Sequence, residues 1–412
     1  MPKSAFFSAL QAELDRLDQA KVSKRNENVI ESFTSDPSPK AVIQGKQYTI
    51  FNSNDYLGLR HHPVLKEADH ATVEKFGTGP GAVRFISGSL QMYKDLEQAI
   101  AKFHGREDAM VVSSAFATNV AVMSCLIKGQ SKESMVSENS LVISDELNHR
   151  SIIEGIRAAS IDSTHKAIFK HMDAEDLRRV LEENKGKFAR IIVVTDGVFS
   201  MLGEYQDLAK LRAVIDAYDA TYPEGIVLVV DDAHGVGCFG TTGRGVEEVC
   251  GAKADVLVGT LGKAFGTDGG YVVGDKVVID YLRESAATYV YSNSISPGTA
   301  GAALKAFEMM QEAEGTQLLK QSRDNIALFK KLMSEEGLVF AAESTHPIQP
   351  LLIGDPAKAK QVKLGLYEMG YLVTNINYPV VSKGRDEIRI QISAAHTQTE
   401  IETFVKAVKS VM

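Results

Sequence analysis

The chain has 412 residues, of which 44% are hydrophobic and 24% are charged, a composition typical of a globular protein with one large core or two. Its formal net charge of -8 gives no electrostatic reason to expect nucleic acid or an anionic membrane as a partner. Cys125, Cys238 and Cys250 are widely spaced, which argues against a disulfide framework and a structural zinc site. Because the sequence lacks a secretory signal and any apolar run near the roughly 20 residues of a membrane span, we expect a soluble, cytoplasmic protein.

The amino-terminal third of the sequence predicts few regular elements. Apolar residues at helical spacing from Phe6 to Leu17 predict an amphipathic helix, and Tyr48–Asn52 predicts a short strand. The run Phe76–Leu90 contains four glycines and one proline and is predicted to be an irregular loop. The polar segment Lys128–Ser140 is predicted to be an exposed loop between two regular elements.

The middle of the chain alternates short apolar runs with helical patterns. Runs of this length, rich in Val and Ile, predict buried parallel strands, and helices between them indicate βαβ units. We therefore predict an α/β fold with a mostly parallel sheet and helices on both faces. The predicted strands are Ala109–Ser113, Leu141–Ser144, Ile191–Thr195, Ile226–Val230 and Val256–Leu261, and the helices are Leu96–Phe103, a helix from Phe116 onward and Asp207–Tyr218.

The pattern changes after about Ser292, which predicts a smaller α+β domain at the carboxyl end. The predicted domains are residues 1–60 as an amino-terminal helix and arm, 61–291 as a large domain and 292–412 as the small domain. Within the small domain we predict one long helical stretch, Thr299–Gly337, three strands and two further helices. The strands are Ile348–Ile353, Tyr371–Thr374 and Ile388–Ile392, and the further helices are Ala357–Met369 and Gln398–Val411.

Charged residues follow two of the predicted strands directly. Asp231, Asp232 and His234 follow one apolar run, and Lys263 follows the next. Strand-end caps and salt bridges explain any one of these residues alone. A metal site is a second interpretation, but no third His, Cys or Asp cluster stands at a convincing spacing. Phosphate loops are disfavoured, because neither Gly77–Gly81 nor the residues around Lys263 have the required spacing.

The joint occurrence of these residues matches what pyridoxal phosphate (PLP) requires. A lysine amine must form a Schiff base with the aldehyde, and a carboxylate must pair with the ring nitrogen. Since the carboxyl ends of parallel strands meet at one edge of a sheet, Asp231 and Lys263 are expected to converge on one crevice. Ser113 and Ser114 close a strand and open a helix, whose backbone N–H groups suit a phosphate. An ordinary Ser cap is an equally good explanation of these two residues.

Seven short motifs, taken together, resemble the α-oxoamine synthases, a family of fold-type I PLP enzymes that includes glycine C-acetyltransferase, 8-amino-7-oxononanoate synthase and serine palmitoyltransferase. The resemblance extends from about Phe6 to Val411. It implies PLP as cofactor, an amino acid and an acyl-CoA as substrates, and a homodimer with shared active sites. The motifs are Asn54–Gly58 (NDYLG), Arg84–Gly88 (RFISG), Asp196–Met201 (DGVFSM), Asp231–Gly235 (DDAHG), Gly259–Gly266 (GTLGKAFG), Tyr291–Ser294 (YSNS) and Ser393–His396 (SAAH).

Around the cofactor ring, the resemblance implies Lys263 as the Schiff-base lysine and Asp231 as the partner of the ring nitrogen. It implies His149 as the histidine that stacks on the ring, and His234 and Ser200 as groups near the ring hydroxyl. The catalytic residues implied are therefore Lys263, His149, Asp231 and His234.

For the phosphate, the resemblance implies Ser114, Thr260 and the backbone of Ala115 and Phe116. Ser292 is implied as a contact from the neighbouring subunit. Ala115 stands where relatives commonly have Gly or Cys, a difference that preserves a contact made only by the backbone.

For the substrates, the resemblance implies that Asn54 and Arg389 hold the amino acid, with Arg389 binding its carboxylate through a bidentate fork. The implied reaction is condensation of the amino acid with an acyl-CoA, which releases CoA. The motifs Asp196–Met201 and Tyr378–Gly384 are most similar to glycine C-acetyltransferase and favour glycine with a short acyl-CoA. The phrase Ile348–Asp355 is closer to the oxononanoate synthases and supports the alternative, alanine or serine with a longer acyl-CoA.

Overall fold

The computed structural model of the chain describes residues 2–19, 23–25, 27–35, 38–378 and 380–412. Parts of the predicted 1–60 arm, and residue 379 of the motif Tyr378–Gly384, therefore lie outside the described residues. None of the helices in the described ranges combines the length and apolar composition that a bilayer crossing requires.

The helices have well-defined ends, several of them capped by side chains. Asp207 caps one helix by accepting from the backbone N–H of Lys210, and Thr397 and Glu400 form a reciprocal capping box at the last helix. The helices are α1 (Pro2–Gln19), α2 (Pro63–Phe76), α3 (Gln91–His104), α4 (Ala115–Ile127), α5 (Arg150–Ala158), α6 (Ala174–Glu183), α7 (Leu208–Tyr218), α8 (Val246–Cys250), α9 (Lys276–Ser285), α10 (Ala287–Val290), α11 (Pro297–Met310), α12 (Ala313–Glu335), α13 (Pro356–Glu368) and α14 (Gln398–Val411).

The strands form three sheets, of seven, four and three strands. The strands are β1 (Ser32–Thr34), β2 (Lys40–Ile43), β3 (Lys46–Ile50), β4 (Asp108–Val112), β5 (Ser140–Asp145), β6 (Lys166–Phe169), β7 (Arg190–Asp196), β8 (Ile226–Asp231), β9 (Val256–Thr260), β10 (Gly270–Gly274), β11 (Ile348–Leu352), β12 (Tyr371–Leu372), β13 (Thr374–Ile376) and β14 (Glu387–Gln391).

The seven-stranded sheet has the order β4-β10-β9-β8-β7-β5-β6. All of its strands run parallel except β10, which pairs antiparallel with both β4 and β9. The predicted α/β fold with a mostly parallel sheet is confirmed. The strand β10 was not predicted, although its inner residues are apolar. Since β10 lies between β4 and β9, the ends of these two strands flank it.

Helices cover both faces of this sheet and bury alternate side chains of its strands. One core contains side chains of α3, α6, α7 and α11 together with residues such as Leu228 and Val230 of β8. The other contains side chains of α4, α5 and α9 together with Val229. Because both faces are buried, the polar residues at the strand ends are the points at which the sheet meets solvent or a ligand.

Three predicted segments differ in detail from the structure. The predicted helix Thr299–Gly337 is two helices, α11 and α12, which pack closely where Gly315 approaches Met310. A Cβ at Gly315 would lie 2.5 Å from the Cα of Met310, so the glycine permits the sharp change of direction. The predicted strand Tyr371–Thr374 is divided between β12, which pairs with β3, and β13, which pairs with β14.

The predicted loop Phe76–Leu90 also contains a helical turn, Arg84–Gly88. The turn is held by the buried guanidinium of Arg84, which pairs with Glu97 at 3.1 Å and lies over the rings of Tyr93 and Tyr289. A buried Arg fixed by a carboxylate and two rings stabilises this turn despite the flanking glycines.

The smaller carboxyl-terminal sheet, β11-β14-β13, packs with α12, α13 and α14 around its own apolar cluster. The predicted small α+β domain is thus present as a layered unit. The helix α11, by contrast, packs mainly on α2 and α3 of the large domain. The division of the chain at residues 60 and 291 stays a prediction.

Candidate active site at the carboxyl edge of the seven-stranded sheet

Lys263 lies in the turn that follows β9, at the carboxyl edge of the sheet. Burial lowers the pKa of its amine from the ordinary value to about 8, although the charges of Asp231 and Asp196 act in the opposite direction. A substantial fraction of the amine is therefore neutral near pH 8, which is the form that can act as a nucleophile or accept a proton.

Asp231 is the last residue of the neighbouring strand β8 and is 6% exposed. Its carboxylate accepts two hydrogen bonds, from Nδ2 of Asn119 at 2.5 Å and from the backbone N–H of Ala233 at 3.0 Å. Hydrogen bonds from N–H donors stabilise the charged form of a carboxylate. The predicted convergence of Asp231 and Lys263 is found, since both residues line one inner cavity.

Two further carboxyl groups lie beside Asp231. Asp196 of β7 stands directly opposite Asp231 in the strand register, and burial together with the Asp231 charge raises its pKa well above the ordinary value. Burial likewise raises the pKa of Asp232, which is fully buried and accepts from the backbone N–H of Val246 at 2.7 Å. Burial thus disfavours the charged form of both Asp196 and Asp232.

His149 caps the amino end of α5 through its ring nitrogen Nδ1. Nδ1 lies 2.7 Å from the hydroxyl of Ser151 and 3.3 Å from the backbone N–H of the same residue. Burial and the Lys263 charge lower the pKa of His149, although the Asp231 charge opposes them, so the imidazole is neutral at pH 7. His149 lines the inner cavity with Asp231 and Lys263, as predicted.

His234 also lines the inner cavity, three positions after Asp231. Its Nδ1 lies 2.7 Å from the phenolic oxygen of Tyr56, and its backbone carbonyl lies 2.7 Å from Nε2 of His346. Burial lowers the pKa of His234 well below the ordinary value, which makes this imidazole neutral as well. Tyr56 thus holds the ring of His234, and His346 holds its backbone.

The amino end of α4 faces the same cavity through Ala115 and Phe116. Ser114 caps the helix by accepting from the backbone N–H of Ala117 at 3.1 Å, which leaves the first two N–H groups of the helix for an anion. A Cβ at Gly270 of β10 would lie 2.3 Å from the nitrogen of Ala115. Only glycine therefore lets β10 pass directly behind this helix end.

Two further phosphate contacts were predicted, Thr260 and Ser292. The hydroxyl of Thr260 is 3.1 Å from the carbonyl oxygen of Gly269 and accepts from the N–H of Gly262 at 3.2 Å, so it holds the lysine turn in shape. Ser292 does not line the inner cavity of its own chain. The predictions that Thr260 binds phosphate and that Ser292 acts from a second subunit remain predictions.

The predicted substrate residues meet at the junction of the two domains. Arg389 of β14 donates from Nε to the backbone carbonyl of Ser200 at 2.6 Å and from Nη2 to Oδ1 of Asn54 at 3.5 Å. Asn54, Ser200 and Arg389 come from three distant parts of the sequence, and their contacts place one guanidinium beside the loop that carries Ser200. A guanidinium with free N–H groups in such a position can bind a carboxylate.

Three openings in the surface reach these residues. Lys263 lines the inner cavity and also an outer cavity of about 560 Å³ that is lined by Asn54, Arg60 and Lys66. His149 lines the inner cavity and also an apolar groove of about 550 Å³. The apolar side chains of this groove are Leu147, Phe199, Met201, Leu202, Val380 and Val381, and Ser200 also lines it.

Several residues of the site were not singled out in the sequence. Asn119 lies in the second turn of α4 and contacts Asp231, and Ser151 lies two positions after His149. Tyr56 and Asp196 belong to recognised motifs but had been given no role. The spacing of Asn119 after the helix cap was a usable signal, because it places the side chain one helical turn from the phosphate-binding end. The metal interpretation gains no support, since the described residues contain no cluster of three or more potential ligands.

Residues 46–408 match the model of the aminotransferase class I and II family. Among curated proteins, 8-amino-7-oxononanoate synthase 1 of Bacillus velezensis is 36% identical over 406 residues, covering 98% of this chain and 97% of the relative. The 8-amino-7-oxononanoate synthase of Thermosipho melanesiensis is 38% identical over 363 residues, covering 88% of this chain and 87% of the relative.

Solved structures with the same fold include two serine palmitoyltransferases. The enzyme from S. paucimobilis, determined with a bound PLP-myriocin adduct, has a TM-score of 0.85 at 26% identity, covering 99% of this chain and 97% of the other. The enzyme from Sphingomonas wittichii has a TM-score of 0.86 at 27% identity, covering 98% of this chain and 96% of the other.

Proposed function

The chain belongs to the aminotransferase class I and II family and is a PLP-dependent α-oxoamine synthase, and on that premise we propose that it condenses alanine or serine with a longer-chain acyl-CoA. The coarser reaction, condensation of an amino acid with an acyl thioester, follows from the relatives. Glycine with a short acyl-CoA, the first expectation from the motifs, is less well supported, because the relatives correspond to the alternative.

The residues of the inner cavity fit PLP. Lys263 supplies an amine, Asp231 an anion, and the amino end of α4 two free N–H donors for a phosphate. Gly270 lies so close to Ala115 that a side chain at residue 270 would not fit. The helix end is therefore left to a ligand. When bound, PLP supplies an electron-withdrawing ring that stabilises negative charge at the α-carbon of the amino acid.

We assign the proton transfer at the α-carbon to Lys263. Its lowered pKa, about 8, leaves part of the population with a free electron pair on Nζ at neutral pH, and that pair can accept the α-proton. The same value makes the resulting ammonium a competent acid, so Nζ can return the proton later in the cycle. Asp231, held by Asn119 and Ala233, supplies the fixed negative charge on which a protonated ring nitrogen depends.

We assign the binding of the substrate carboxylate to Arg389 and Asn54. The guanidinium is already oriented by the carbonyl of Ser200, so little side-chain entropy is lost when a carboxylate binds. Binding there fixes the amino acid at its carboxylate end. Its α-carbon, which gives up a proton to Lys263, is the same atom that then takes up the acyl group and releases CoA.

The observation that carries the choice of a longer acyl chain is the apolar groove itself. It offers about 550 Å³ beside His149 and Ser200, lined largely by aliphatic and aromatic side chains. Each methylene group of an acyl chain buried there contributes about 0.8 kcal/mol, so a longer thioester binds more tightly than acetyl-CoA. An acetyl group alone leaves most of this surface exposed to water.

We further propose that the active form is a homodimer. Phe85, Ile86 and Tyr291 are large apolar side chains that are 65%, 65% and 79% exposed, an unfavourable arrangement in an isolated subunit. Tyr291 adjoins Ser292, the residue expected to act from a second subunit. Sedimentation of the holoenzyme at micromolar concentration is expected to give a dimer, and an active monomer would contradict this part of the proposal.

The substrate proposal is tested by measuring free-thiol release from acyl-CoAs of two to sixteen carbons, each with glycine, alanine and serine. We expect kcat/KM to rise with chain length and to be highest with alanine or serine. Activity confined to glycine with acetyl-CoA would reject the proposal in favour of the first expectation.

A matched variant separates the groove from general damage. Val380→Ser places a polar group in the apolar groove, while Val277→Ser changes an exposed valine of α9 outside it. We expect Val380→Ser to lower kcat/KM for long chains about tenfold and for acetyl-CoA little, and Val277→Ser to change neither. Equal losses for all chain lengths would show that the groove does not hold the acyl chain.

A further inference from the structure

An unbroken series of side-chain hydrogen bonds joins Asp231 to His149. Nδ2 of Asn119 donates to Oδ2 of Asp231 at 2.5 Å and to the hydroxyl oxygen of Ser151 at 2.9 Å. The hydroxyl of Ser151 lies 2.7 Å from Nδ1 of His149. Two residues outside the family motifs thus connect the two groups that are expected to contact the cofactor ring.

The direction of every bond in the series is determined. Asp231 as a carboxylate can only accept, so Asn119 must present its amide hydrogens and not its oxygen. Ser151 accepts from Asn119, and its backbone N–H donates to Nδ1 of His149 at 3.3 Å, so the lone pair of Nδ1 faces Ser151 and the Ser151 hydroxyl donates to it. Nδ1 therefore acts as an acceptor, and the proton of the neutral imidazole lies on Nε2.

The middle of the series is shielded from water, whereas His149 at its outer end is exposed. Asn119 and Ser151 are each 1% exposed. Oδ1 of Asn119 has no hydrogen-bond partner among the described residues, yet rotation of the amide would bring that oxygen against Asp231. Since Oδ1 is buried without a partner, the Asn119 amide is held in this orientation by its other hydrogen bonds. The strongest of these is the bond to the charged Asp231.

We propose that Asn119 and Ser151 are positioning residues that orient His149 relative to Asp231 and fix its imidazole in the tautomer protonated on Nε2. This inference rests on the proposed roles of Asp231 and His149 at the cofactor. It adds that Asp231 and His149, the two groups expected to contact the cofactor ring, are held in position together. A cofactor bound between them meets a histidine whose orientation and protonation do not have to adjust.

The tautomer is measured directly in the chain without cofactor, by ¹⁵N NMR of histidine-labelled protein, with the His149 signals assigned by their loss in His149→Gln. In the wild type, we expect Nδ1 to be unprotonated and Nε2 to be protonated at pH 7. In Ser151→Ala and Asn119→Ala, we expect a mixture of the two tautomers. Ser124→Ala serves as the control, because it removes a buried hydroxyl of α4 that bonds to Val120 of its own helix.

PLP affinity provides a second readout. Asn119→Ala removes a hydrogen bond to a charged group and is expected to weaken PLP binding about tenfold to a hundredfold. Ser151→Ala is expected to weaken it about threefold to tenfold, and Ser124→Ala less than twofold. Asn119→Asp sets a second carboxylate against Asp231 and is expected to be worse than Asn119→Ala at pH 7, a ranking that loss of packing alone does not produce.

Two results would overturn the inference. One is a wild-type His149 protonated on Nδ1, and the other is a tautomer and PLP affinity in Asn119→Ala and Ser151→Ala that match those of Ser124→Ala. Failure of the proposed function is a separate result. If the wild type releases no thiol with any acyl-CoA, the substrate proposal fails, while the NMR measurement on the chain without cofactor still decides the role of Asn119 and Ser151.

Discussion

The inner cavity and the apolar groove share His149 in their linings, but they are held in different ways. In the inner cavity, Asp196 and Asp231 end adjacent parallel strands and accept hydrogen bonds from residues of α4 and the start of α5, in a network with distances of 2.5 to 3.3 Å. The groove is lined by three segments outside the sheet, residues 147–150, 199–204 and, apart from residue 379, 378–385. The sheet edge is thus suited to fix a cofactor, whereas the loops are suited to vary with the substrate.

The largest effect is expected when the amine at the sheet edge, that of Lys263, is removed. Lys263→Ala is expected to lower turnover at least about 10⁴-fold, since the same group anchors the cofactor and moves the proton. The visible absorbance of the holoenzyme is expected to change with it. Lys406→Ala, a change at an exposed lysine of α14, serves as the control. Retention of more than about 1% of activity in Lys263→Ala would contradict the assigned role.

Substitutions of two adjacent residues, Asp231 and Asp232, test whether the charge or the shape of a side chain matters at the edge of the sheet. Asp231→Asn removes the anion and is expected to lower turnover about 10²-fold or more. Burial raises the pKa of Asp232, so Asp232→Asn is expected to change the charge of the site less than Asp231→Asn does, and turnover is expected to change less than about threefold. Turnover and cofactor absorbance report on both. Similar losses in the two variants would show that shape is the common cause.

On the substrate side, Arg389→Lys keeps the charge but loses the fork that reaches Ser200 and Asn54. The KM for the amino acid is expected to rise about 10-fold to 100-fold, with a smaller change in kcat, because Lys binds a carboxylate through a single point charge. The KM for the acyl-CoA and the affinity for PLP provide internal controls. A large loss of PLP affinity would show that Arg389 contributes to cofactor binding and not only to binding of the amino acid.

The smallest effect is expected at His171, which connects the two regions. It lies 3.0 Å from Asp145 at the end of β5 and 2.9 Å from Glu204 in the loop that carries Ser200. Burial acts to lower the pKa of His171, but the two carboxylates outweigh it and raise the pKa to about 9. His171→Asn is therefore expected to lower the free energy of unfolding by about 2 kcal/mol near neutral pH.

The pH dependence of that loss has a defined sign. Because the folded pKa exceeds the ordinary value of 6.5, the stabilisation is fully present below pH 6.5 and disappears as pH rises through about 9. Urea unfolding of the wild type and His171→Asn at pH 6 and pH 10 measures it. A difference between the two proteins that is the same at both pH values would show that packing, and not charge, explains the effect. Gln317→Glu, at an exposed position of α12, controls for a general response to charge.

The sheet edge could be predicted from the sequence because its signals are local. A buried apolar run that ends at Asp231, and another that leads to Lys263, identify two strand ends, and parallel strands bring such ends together. The contact of Asn119 with Asp231 and the antiparallel course of β10 depend on pairing between distant segments. The same is true of Asn54, Ser200 and Arg389, which the motif resemblance indicated but whose contacts only the folded chain reveals.

The position of β10 between β4 and β9 has a consequence for the order in which the protein can assemble during synthesis. The helix end at Ala115 is completed only when Gly270 passes behind it, so the chain must extend well beyond residue 270 before an anion can bind there. Pairings across such a sequence separation form slowly. We expect the cofactor to be absent from nascent chains and to be acquired only after the large sheet has closed.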